Sequence, residues 1–319
     1  MDQELQTICD QFIRYRDELR NMNFFTSYGQ LWPLCSYICI IRNQEPNEEI
    51  MDLCKKIIHE RFGFLNYFRG NGEKVITTLL ACESDPGAAA DLCKEAYDIL
   101  KDHFGSSNYL PMLAYYMATT IAPKEYAQFA QDSWNLYQRY NKMHPLMTSY
   151  EDVIFVGLLN SSKRPHEELV NETEVIWRAL KDEFFWHKDA MQTAAMALTL
   201  CVGDPMLKSA RFITLHDRLR DEGYRVGKGY DAVPLAILAN LGIDSEQIMQ
   251  DFVEAESVLR ESGKYGFWSG YSTWDRLMHT SLVLSAYYRS PNNELVAAFI
   301  VSVLIDIAAQ QAAAASAAS

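Results

Sequence analysis

Strand signatures are nearly missing from this 319-residue chain. No long alternation of β-branched and polar residues occurs, and no Asn-Gly or Asp-Gly turn joins two such runs, which excludes a hairpin-built β fold. Basic charge is also short. Lys and Arg total 29 against 42 Asp and Glu, a net charge of −13. That balance repels a phosphate backbone and excludes nucleic acid as a partner. No polybasic run favours anionic lipid. The N-terminal "MDQELQTICDQF" is acidic and amphipathic, without the basic and apolar regions of a signal peptide. The strongest apolar run, Leu295 to Ile305, stops at Asp306, short of the roughly 20 residues a membrane span needs. A packed, Ala-rich terminal helix over 292–319 is the leading reading there. A contact between copies of the chain, making a homo-oligomer, stands second and a membrane role third.

Cysteine is present but not as a framework. The seven cysteines are an odd number. Cys9, Cys54, Cys82, Cys93 and Cys201 stand singly among apolar helical residues. Cys35 and Cys39 are one helical turn apart, with no second pair at zinc-site spacing. Buried, reduced thiols of a cytoplasmic protein are expected. Sharper chemical motifs are missing too. There is no His-Glu-x-x-His; "HEEL" at 166–169 lacks the second histidine. There is no Gly-x-Ser-x-Gly elbow, and "VGKGYD" lacks the third glycine and the strand of a dinucleotide fingerprint. The seven histidines are dispersed. No metal site and no cofactor is read from these residues.

What remains is a helix-forming chain with a core. Apolar residues make up 49% and aromatics 12%, a globular composition. Helical periodicity runs almost throughout, and the chain repeats itself. "LLACESDPGAAADLCKEAYDILKDHFG" (79–105) aligns with "GLLNSSKRPHEELVNETEVIWRALKDEFF" (157–185). Tyr97 and Leu100 match Trp177 and Leu180. Trp134 and Tyr137, His216 and Leu219, and Glu256 and Leu259 take the same two places elsewhere. The spacing is about 40 residues, two helices and two turns. One such pair cannot bury its apolar faces alone, so neighbours stack on it. Five or six copies, with a first helix near 3–22 and a closing one near 292–316, account for residues 1–319 as one all-α domain. The expected architecture is an α/α superhelix or a closed α/α toroid.

The turns carry capping chemistry. Asp85-Pro86, Asp204-Pro205 and Asp244-Ser245 each place a short acceptor at a helix start, twice with proline at the first position. Asn47 caps ahead of Glu48 and Glu49, which suit the positive end of the helix dipole. "FLNYFRGNGEKVITTLL" (64–80) looks at first like a phosphate loop. Glutamate rather than lysine follows Gly72, and the preceding element is helical, so it reads as a corner between helices.

"NYFRGN" (66–71), "SSNYLPMLAYYMA" (106–118), "LMTSYEDVIFVGLL" (146–159), "DAMQTAAMALTL" (189–200) and "GYDAVPLAILANL" (229–241) come in that order. They resemble the bacterial family described as domain of unknown function 4003, over roughly residues 5–312. The resemblance implies an all-helical, soluble, bacterial protein and carries no activity or catalytic residues. Asp189 departs from the asparagine expected in that family ahead of Gln192.

In each pair one helix is strongly charged and its partner nearly apolar, so the partner is the inner one. The segments leading into the inner helices hold unusual polar and aromatic residues. They are Asn66 and Arg69; Asn108 and Tyr109; Tyr150, Glu151 and Asp152; His187, Asp189 and Gln192; Tyr230 and Asp231; and Trp268, Trp274 and Asp275. Stacking places them along one rim, where free helix N–H groups also gather. Capping and packing account for the same residue types. Two functions follow. A helical scaffold binding a protein or peptide fits the repeat, the acidic surface and the missing catalytic signature. The alternative is an α/α-toroid enzyme, in which Glu151, Asp152, Asp189, Asp231 and Asp275 act as acid and base on a carbohydrate-like substrate.

Overall fold

The computed structural model describes residues 2–22, 31–70, 72–143, 152–184, 188–227, 231–266 and 271–289. Among them the chain forms fourteen α-helices and no strand. Only an isolated backbone bridge joins Tyr265 and Tyr271. The first helix is α1 (Gln3–Asn21). Next come α2 (Leu31–Ile41), α3 (Glu48–Arg61), α4 (Glu73–Ala81), α5 (Pro86–Phe104), α6 (Leu110–Thr120), α7 (Tyr126–Met143) and α8 (Asp152–Ser161). The remainder holds α9 (His166–Glu183), α10 (Lys188–Leu200), α11 (Pro205–Asp221), α12 (Ala232–Leu238), α13 (Ser245–Glu261) and α14 (Thr273–Tyr287). Two compact units result. One is continuous among the described residues, 18–163; the other is split, 2–17 with 164–289.

Helix starts follow the sequence chemistry. Asn47 accepts from the Ile50 N–H at 3.0 Å, and Asp85 from Ala88 at 3.0 Å ahead of Pro86. Asp204 takes two N–H groups, of Met206 and Leu207, and Asp244 takes that of Glu246. Each satisfies donors that the first helical turn leaves open, worth about 1 kcal/mol apiece.

Within the continuous unit, successive helices pair as α3 with α4, α5 with α6 and α7 with α8. The apolar helices α2, α4, α6 and α8 pack in succession, and so do the charged ones α3, α5 and α7. Charge decides the layer. Every side chain from Asp152 to Leu159 of α8 is buried, whereas α5 buries only a stripe of Ala89, Ala90, Cys93, Ala96, Tyr97, Leu100 and Phe104. That stripe repeats at three and four residues, the period of one helix face. In α7 the stripe is Tyr126, Phe129, Ala130, Ser133, Leu136 and Tyr140. Trp134 and Tyr137, aligned above with Tyr97 and Leu100, are instead half-buried. Their rings both meet Phe104 edge-on, at 5.3 and 5.7 Å, so they fill the seam between α5 and α7.

The split unit repeats the plan. α9 pairs with α10, α11 with α12 and α13 with α14; α9, α11 and α13 pack in succession, as do α10, α12 and α14. A buried ionic knot ties α9 to α11. The fully buried Lys208 ammonium donates to Glu172 and, at 2.9 Å, to the Cys201 carbonyl. Arg164 donates to the same carboxylate and, at 3.0 Å, to the Thr199 carbonyl. The helix α1 joins this unit through Leu5, Cys9 and Phe12, all buried. Phe12 lies 5.8 Å from the His279 ring of α14, and Tyr287 donates to Asp2 at 2.7 Å.

Candidate functional site

In the continuous unit the corner at 62–70 is built around Phe68. Its buried ring stacks on Phe62 at 3.9 Å and meets Tyr97 edge-on at 5.4 Å. Asn66 caps the single 3-10 turn Tyr67–Arg69 by accepting from the Phe68 N–H at 3.0 Å. With Phe68 locked inward, Phe64 and Leu65 point out, 80% and 90% exposed. The Arg69 guanidinium sits 5.4 Å from the Phe64 ring centroid, a cation–π contact. Asn108, which precedes α6, closes in from the next pair. A Cβ added at Gly70 would stand 3.2 Å from its Oδ1, so glycine admits the approach. Asn66, Arg69 and Asn108 therefore come together at one corner, with Tyr109 as the residue before α6. The described part of 64–80 holds the 3-10 turn Tyr67–Arg69 and the start of α4. Asp152 opens α8 and is buried. Tyr150 and Glu151 lie outside the described residues.

In the split unit the rim residues have other work. The Asp231 carboxylate is buried and accepts from the Gly227 N–H at 2.7 Å. Gly227 needs to be glycine, because its φ is +78° and a Cβ would stand 3.1 Å from His216. Asp275 accepts from the Ser272 N–H and hydroxyl at 2.7 and 2.8 Å, while Ser272 Oγ accepts from the Asp275 N–H at 3.1 Å. This reciprocal capping box holds the start of α14. Trp274 is half-buried beside it. Gln192 is only 3% exposed, yet neither end of its amide has a hydrogen-bond partner among the described residues. His187, Tyr230 and Trp268, and the side chain of Asp189, lie outside what is described.

A family profile described as Protein of unknown function (DUF4003) matches residues 15–312. The chain belongs to the DUF4003 family. No curated protein and no solved structure matches it.

This DUF4003 chain also holds a buried polar network that its motifs do not announce. Arg16 of α1 is fully buried. It donates from Nε to Asp17 at 3.0 Å and from Nη1 to the Tyr265 oxygen at 3.3 Å. Its guanidinium lies 5.5 and 5.9 Å from the Tyr265 and Tyr271 rings. Tyr265 meets His279 Nδ1 at 2.9 Å. Burial first, and the Arg16 charge second, push His279 down to about 3, so the imidazole stays neutral. With Arg16 donating into the Tyr265 oxygen, the phenolic proton is directed to Nδ1, and the imidazole proton sits on Nε2. Arg16 Nη2 and His279 Nε2 are then two buried donors with no partner among the described residues, each a place for an ordered water or another acceptor. The sequence did hold a signal for Arg16. Buried positions 5, 9, 12, 16 and 19 of α1 form one helical stripe, and Arg16 is its one charged member.

Chemically, the corner at 62–70 offers apolar area, a guanidinium and amides, which suits recognition. No group of three or more His, Cys, Asp or Glu among the described residues is placed to hold a metal ion. No described helix is long and apolar enough to cross a membrane.

Proposed function

We propose that the protein is a helical scaffold that binds a partner protein or peptide, and that the 62–70 corner is its contact. The observation that carries this reading is the adjacent pair Phe64 and Leu65, exposed at the tip of a corner that Phe68 and Asn66 hold rigid. An exposed aromatic–aliphatic pair with an arginine beside it has the composition of an interface anchor. The net charge of −13 favours a basic or amphipathic partner. Stacked helical pairs extending as a superhelix or closing as a toroid would present such corners in series.

The carbohydrate-cleaving alternative has less support. It needs pairs of carboxylates free to exchange protons, whereas Asp231 and Asp275 spend oxygens on backbone N–H groups that fix local structure.

The test compares two baits in native lysate, wild type and Phe64→Ser/Leu65→Ser, by quantitative mass spectrometry. A shared partner should fall by at least about tenfold on the variant, the loss expected for one interface anchor. The melting temperature should hold, because both side chains are already in water. Equal capture by both baits would overturn the reading.

A further inference from the structure

The charged layer of the continuous unit carries an apolar line that the core does not use. In α3 the core takes Met51, Cys54 and Ile58. Ile50, Leu53 and Ile57 form a second line beside it, at the i, i+3, i+7 spacing of one helix face. Ile50 is 40% and Leu53 51% exposed, and Ile57 is half-buried. The line runs along α3 toward the corner where Phe64 and Leu65 stand in water. The fold does not demand it, because α7 in the same layer exposes Gln128, Gln131, Asn135 and Gln138 instead.

The neighbouring α5 borders this line with acid. Arg61, the next position along the α3 line, donates from Nε to Asp91 of α5 at 2.7 Å, so the Asp91 face of α5 is turned toward α3. Glu95, Asp98 and Asp102 share that face at i+4, i+7 and i+11, all exposed. The row is about 16 Å long. Lys94 and Lys101 stand to one side of it. Like charges three and four residues apart destabilise a helix, so the row weakens α5 as an isolated element.

We propose that the seam between α3 and α5 is a docking track for a basic amphipathic helix, ending at the 62–70 corner. The inference rests on the binding reading above and names the partner's chemistry. The partner's apolar face covers Ile50, Leu53 and Ile57 and reaches Phe64 and Leu65. Its Lys and Arg side chains meet the acidic row of α5. Charge decides between occupants. A helix with an acidic polar face would cover the same apolar line but set like charges against the row. An extended peptide would need a sheet edge, and the described residues form no strand. Two packed helices instead present a groove, read by anchors at i, i+3, i+4 and i+7 of the incoming helix. With 14 residues, α3 is about 21 Å long, so a partner of similar length spans it.

The test titrates the full-length protein into a fluorescein-labelled peptide of about 14 residues, leucine on one helical face and lysine on the other, and follows anisotropy. Saturable binding is expected. A Leu/Glu peptide of the same pattern, and a Leu/Lys peptide with its leucines scattered around the helix, should each bind at least about tenfold more weakly. Ile50→Ser/Leu53→Ser and, separately, Glu95→Gln/Asp98→Gln should each weaken the first peptide by about three- to tenfold. The glutamine pair only removes like-charge repulsion at exposed positions. Its melting temperature should hold, so it decides the test even where the serine pair unfolds. No binding, equal binding of either control peptide, or binding unchanged by a folded seam pair would overturn the track. Phe64→Ser/Leu65→Ser separates the two readings. Loss of peptide binding in that variant alone keeps the corner and discards the track, whereas loss in the seam pairs alone keeps the track and discards the corner.

Discussion

His279 shows how one buried side chain couples this fold to pH. Folded, it is neutral down to about pH 3. Unfolded, it takes a proton below about 6.5. Between those values the unfolded chain binds the extra proton, so acidification favours unfolding by about 1.4 kcal/mol per pH unit. Lowering the pH from 7.5 to 4.5 should cost the wild type on the order of 3 kcal/mol through this residue alone. His279→Gln starts less stable but lacks that share. Urea midpoints of the two proteins should therefore converge on acidification, and parallel curves would remove His279 as the cause. Nothing near His279 in sequence foretells its neutrality. Arg16 acts on it from the other end of the described chain and Tyr265 from the preceding turn. By contrast Asn47, Asp85, Asp204 and Asp244 were legible as caps, because a cap and its helix are contiguous.

At the scale of elements, the knot joining α9 and α11 rests on Glu172. Its carboxylate answers both the fully buried Lys208 and Arg164. Glu172→Ala would leave a buried ammonium uncompensated, and should cost about 3–5 kcal/mol by denaturant unfolding. Adding Lys208→Met, which removes that charge and fills the space, should restore most of the loss. A double variant no more stable than Glu172→Ala would show that shape, not charge, sets the cost. The charged helices such as α5 and α7 were legible from periodicity, because each buries one stripe. Seams between them were less so. Trp134 and Tyr137 fit the repeat in sequence but serve the α5–α7 contact, since Phe104 sits where it can reach both rings. Of the residues expected along a rim, Asn66 caps the turn that carries Arg69 and Asn108 approaches that turn at Gly70, whereas Asp231 and Asp275 accept from backbone N–H groups that only folded loops supply.

For the molecule as a whole, the split unit draws its core from both ends of the described chain. Phe12 is buried against α14, while Phe129 is buried in the continuous unit. Each Phe→Ala change should cost about 3–5 kcal/mol. Their effects on hydrogen exchange should separate. Phe12→Ala should speed exchange in α14 ahead of α5, and Phe129→Ala the reverse. Uniform acceleration by either variant would mean that the two units open as one.

The contacts of α1 also impose an order on biosynthesis. Arg16 and Tyr265 are 249 positions apart, and Asp2 and Tyr287 are 285. At ribosomal rates of about 5–20 residues per second, the greasy stripe of α1 waits roughly 12–50 s for its partners to emerge. Residues 18–163 are complete well before that. Newly made α1 is therefore the stretch most in need of a chaperone's shelter, and a stalled ribosome would leave it exposed beside an already folded neighbour.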